Sequence, residues 1–61
     1  MNDKDIINQA YEDTIKQLFT VLFDVSVVAQ TPDAQSQAEQ RFQAGVRKAR
    51  EVRDKAIALL S

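Results

Sequence analysis

The sequence predicts an all-α protein, an antiparallel two-helix hairpin that dimerises into a four-helix bundle. Three observations predict it. Two long segments carry apolar side chains at helical spacing, a single Thr31-Pro32 junction separates them, and the 61-residue chain contains neither cysteine nor histidine. A chain of this size without a disulfide or metal staple buries only a thin core alone, so a partner subunit is expected. Residues 1–61 are read as one helical-hairpin domain, with helices at about 3–29 and 32–60 and a turn at about 30–31.

The first helix has its start signal in Asn2 or Asp3, either of which can cap it, with Asp5 in the first turn beside unpaired backbone donors. Ile7, Tyr11, Thr14, Leu18, Val21, Val25 and Val28 then follow in strict 4-3-4-3-4-3 steps. That is the heptad seam of a helix packed on other helices. Ile15, Leu22 and Ala29 flank the seam and widen it into a bundle-type stripe. Thr14 is its weak point, although a threonine hydroxyl can bond a carbonyl of the preceding turn. Phe19 to Val28 also alternates like an amphipathic strand. A lone strand between two helical patterns has no sheet to join, and helix is the reading preferred.

The second helix starts at Thr31 as N-cap with Pro32 in the first turn, where its missing N–H costs nothing. The residue before a proline avoids the helical region, which ends the first helix near Gln30. A later start at Ser36, with Glu39 completing a capping box, is the alternative. Ala38, Phe42, Gly45, Ala49, Val52, Ala56 and Leu59 repeat the heptad steps, flanked by Val46, Ile57 and Leu60. Small residues dominate this seam where the first helix offers large ones. Gly45 costs helix stability of about 1 kcal/mol relative to alanine; on the inward face it is expected to admit a bulky neighbour such as Leu18 or Phe19, or to allow close backbone approach.

Two apolar stripes leave a surplus. With the first seam turned to its partner helix, Phe19 falls at the edge while Phe23 and Val27 point nearly away. Leu18, Phe19, Leu22, Phe23 and Val27 are therefore the candidate interface with a second copy or another protein, with Phe19 and Phe23 sealing contacts between chains. Charge is segregated as well. Residues 1–30 carry a balance of −3 and residues 31–61 one of +2, giving the net −1. Opposed signs favour one helix lying against the other, within or between chains. Arg47, Lys48, Arg50 and Lys55 form the one basic cluster that could contact phosphates or an acidic partner. Interspersed Glu51 and Asp54 and the lack of interleaved aromatics fit a solvated helix face better.

Catalysis has little to work with. Without histidine or cysteine, the commonest general base, zinc ligand and thiolate nucleophile are missing. The only glycine is mid-helix, so no phosphate-cradling loop is present. Pairs such as Glu12 with Lys16, Arg47 with Glu51 and Glu51 with Lys55 have i,i+4 spacing and need no function. No enzyme activity and no cofactor are expected. The acidic, polar N-terminus lacks the pattern of a secretory leader, and Leu18 to Ala29 is too short to span a bilayer. A cytoplasmic protein without membrane contact is expected. The shape resembles that of small helical-hairpin proteins that dimerise into antiparallel four-helix bundles, a likeness that carries no residues and no function across.

The expected function is that of a small non-enzymatic protein-interaction or regulatory protein acting as a hairpin oligomer, the homodimer favoured. A heterologous protein partner is compatible with the same surface. The alternative is a nucleic-acid-binding hairpin that uses the basic face of the second helix.

Overall fold

The computed structural model describes residues 2–60, and Met1 and Ser61 of the expected 1–61 unit lie outside the described residues. It holds two helices, α1 (Asp3–Val28) and α2 (Pro32–Leu60), packed side by side as a hairpin. Both starts follow the cap signals. Asn2 Oδ1 accepts the Asp5 backbone N–H at 2.9 Å, with Asn2 itself in extended geometry. Thr31 Oγ1 accepts the Ala34 N–H at 3.2 Å. The Ser36 start is thereby excluded, and Phe19 to Val28 is helical rather than a strand.

The turn is short because both of its ends are satisfied. Ala29 closes α1 with its N–H bonded to the Val25 carbonyl at 2.7 Å. Its own carbonyl accepts from Gln35 Nε2 at 3.3 Å. Thr14 Oγ1 donates to the Ala10 carbonyl at 3.0 Å, so the weak point of the first seam satisfies itself within the helix.

Packing departs from the strict heptad in a consistent direction. The half-buried positions of α1 are Ile7, Tyr11, Ile15, Leu18, Leu22 and Val25, with Ala29 half-buried just beyond its end. Val21 and Val28, members of the expected seam, are exposed, and so are Val52 and Leu59 of α2. The reason is geometric. A straight α-helix drifts about 20° per heptad against a 3.5-residue repeat, and one neighbour covers only part of a stripe this wide. The hairpin therefore covers one flank of each seam and leaves the other open. Only Ala38, at 8% exposure, is buried among the described residues.

The result is a slab. Its Cα extents are 46 × 18 × 6 Å and its radius of gyration is 14.3 Å, against about 10.5 Å for a globule of this length. Its ion pairs also differ from the i,i+4 expectations. Lys16 reaches Asp13 at 4.0 Å, Lys48 reaches Glu51 at 3.7 Å, and Arg53 reaches Asp54 at 3.0 Å. The first two are exposed pairs at i,i+3, a class that contributes about 0–1 kcal/mol.

Candidate interaction surface

The open flanks of the two seams lie on the same side of the slab and form a trough. It consists of two depressions of about 290 and 500 Å³ that meet at Leu18. Nearer the turn the walls are Val21 and Val25 from α1, with Ala38 and Phe42 from α2. Nearer the open end they are Ile7, Ala10 and Thr14 with Gly45, Ala49 and Val52. Thr14 and Val21 are seven apart, as are Ala38 with Gly45 and Gly45 with Val52, so the walls continue from one depression to the other along each helix. Leu18, Val21, Leu22 and Val25 give the α1 wall its bulk, while the α2 wall mixes the small Ala38, Gly45 and Ala49 with Phe42 and Val52.

The sequence-derived interface residues divide between this trough and the outside. Leu18 and Leu22 line it. Phe19, Phe23 and Val27 do not, and all three are exposed. The Phe19 and Phe23 rings stand 6.4 Å apart with 26° between their planes, forming an aromatic ridge along α1.

The four candidate basic residues are not brought together. Lys48 borders the trough, and Lys55 stands one heptad further along the same edge. Arg47 and Arg50 line a separate shallow groove with Phe42, Gln43 and Val46. Arg50 is turned toward α1, where its Nε donates to the Tyr11 hydroxyl at 3.4 Å.

Two residues matter more than the sequence suggested. The Arg53 guanidinium sits 4.4 Å above the centre of the Tyr11 ring, while its Nε and Nη2 both reach Asp54 Oδ1 at 3.0 Å. Tyr11 is thus held by two arginines of α2, one on its face and one at its hydroxyl. The signal was available: Arg53 follows Ala49 by four and precedes Ala56 by three, which places it at an inward position.

Among the described residues, no group of three or more histidine, cysteine, aspartate or glutamate side chains could hold a metal ion. No helix of the described residues is long and apolar enough to cross a membrane. Compared with known proteins, the chain matches no family model, no curated protein and no solved structure.

Proposed function

We propose that this chain is a small non-enzymatic interaction protein that works as a helical-hairpin oligomer, the dimer being the simplest closed form. One observation carries the reading. The hairpin exposes 4916 Å², whereas a folded monomer of 6.9 kDa exposes about 4,000 Å². The surplus of about 900 Å² matches the roughly 800 Å² that each partner buries in a stable interface of standard size. Phe19, Val21, Phe23, Val27, Val28, Val52 and Leu59 are all more than half exposed, so large apolar side chains contribute to that open surface. Apolar surface of that kind marks an interaction site rather than a free face.

A protein partner is favoured over a nucleic acid because Lys48 and Lys55 lie along one edge while Arg47 and Arg50 line another groove. Sedimentation equilibrium across micromolar concentrations tests the reading. A dimer or higher mass is expected; a monomer throughout overturns self-association. Titration with RNA and DNA duplexes near about 50 mM salt, where phosphate contacts are strongest, is expected to show no salt-dependent binding.

A further inference from the structure

We infer that the trough is where a second copy docks, with α1 of one chain lying along α2 of the other and Asp24 facing the partner's Arg41. This inference rests on the oligomer reading and adds which face is used and how the helices are ordered.

The trough edges carry opposite signs. On the α2 edge Arg41 and Lys48 border the two depressions, and Lys55 continues the row at the same seven-residue interval. On the α1 edge Ala10 borders the trough, and its heptad positions are Asp3, Gln17 and Asp24. Glu51 pairs with Lys48 at 3.7 Å on the α2 edge, which leaves that rim net basic while the other is acidic. The opposite side of the slab shows no such separation: Glu12 edges α1 there, while Glu39 and Arg50 mix along α2; Arg53 lines the trough itself and is held by Asp54 and the Tyr11 ring.

Two hairpins can stack trough to trough in two symmetric ways. A two-fold axis across the helices sets α2 against α2, which brings the row of Arg41, Lys48 and Lys55 against its own copy. A two-fold axis along the helices sets α1 against the partner's α2, so the acidic rim meets the basic one. Like charges across an interface disfavour the first, and complementary ones select the second. Side-chain size gives the same answer independently. Val25 stands on α1 at the level of Ala38 on α2, so α1 against the partner's α2 sets a large side chain on a small one.

Axial register follows from the hairpin. Leu18 is level with Gly45, and the helices run antiparallel. Asp24 therefore stands about two residues, or about 3 Å, from the level of Arg41. A two-fold axis along the helices preserves those levels between chains, so each dimer contains two Asp24–Arg41 pairs.

Charge reversal tests the arrangement. Arg41→Asp and Asp24→Arg are each expected to weaken homodimerisation about fivefold or more at low salt, since each places like charges opposite one another twice. Mixed one to one, they restore both pairs in a heterodimer, whose dissociation constant should return to within about twofold of wild type. Sedimentation equilibrium reads the association, and far-UV circular dichroism checks that each variant keeps its helices. Disulfide formation between an Asp24→Cys chain and an Arg41→Cys chain, in a protein with no other cysteine, gives a second readout. If wild type is monomeric, the oligomer reading fails and this one with it. If wild type dimerises but the mixture binds no more tightly than the single variants and no disulfide forms between the two chains, the helix order is overturned while the oligomer reading stands.

Discussion

Leu18 occupies the space that a side chain at Gly45 would fill. A Cβ placed on Gly45 would lie 2.7 Å from Leu18 Cδ2 and 3.2 Å from Cδ1. The glycine lets the Leu18 side chain reach across the hairpin. Leu18 in turn forms the saddle between the two depressions of the trough.

The opposing effects at this site can be separated. Gly45→Ala raises helix propensity by about 1 kcal/mol but pushes against Leu18, whose branched end must shift. In wild type the substitution is expected to give clearly less than the full gain. In a Leu18→Ala background the space is free, and the same change should deliver close to the whole of it. Thermal unfolding of the four proteins closes the cycle; equal gains in both backgrounds would show that the contact carries no energy.

Local rules explain most of what was legible. Asn2, Thr31 and Pro32 fix where the helices begin, and each does so through one identifiable bond or one missing donor. Thr14 bonds back to Ala10 as a mid-helix threonine should. What stayed hidden was rotation. The seam that includes Val21, Val28, Val52 and Leu59 is real as a pattern, yet in one hairpin these four side chains face outward. A heptad states which residues want burial; it does not state which neighbour buries them. Arg53 was legible in part: its spacing from Ala49 and Ala56 marks an inward position, whereas the Tyr11 ring beneath it is not readable from spacing.

The Thr31 cap should be measurable alone. Its hydroxyl satisfies the Ala34 N–H, and removing such a cap costs about 1 kcal/mol. Thr31→Ala is expected to lower the melting temperature, while Thr31→Ser or Thr31→Asp should restore most of the loss. If alanine and serine variants melt together, the hydrogen bond contributes nothing.

Tyr11 offers a graded test of the arginine clamp. Tyr11→Phe keeps a ring under Arg53 and loses only the 3.4 Å bond from Arg50, so a loss of about 0.5–1 kcal/mol is expected. Tyr11→Ala removes the ring with its cation–π contact and its apolar area, and about 2 kcal/mol or more should go. Comparable losses for the two would mean that the hydroxyl, not the ring, anchors this end of the hairpin.

Folding and association should be coupled. Ala38 is the only buried residue among those described, so in the proposed oligomer most of the apolar burial would lie between copies. Far-UV circular dichroism is expected to show a strongly helical spectrum whose melting temperature rises with protein concentration, because binding stabilises the native state by mass action. A transition independent of concentration over two decades would place the stability within the monomer.

The two exposed apolar surfaces make different demands on mutagenesis. Val21 is 61% exposed and lines the trough. Phe23 is 58% exposed and belongs to the aromatic ridge instead. Exposure alone therefore does not separate them; position does. Val21→Asp would bury a carboxylate without a partner in a trough-to-trough dimer, a cost of several kcal/mol that should abolish association at micromolar concentration. Phe23→Asp removes an aromatic from the outer side of α1 and is expected to weaken association far less, with Gln35→Ala near silent. Sedimentation equilibrium on the three variants decides between the faces. The reverse order, with Phe23→Asp monomeric and Val21→Asp still dimeric, would move the interface to the ridge of Phe19, Phe23 and Val27.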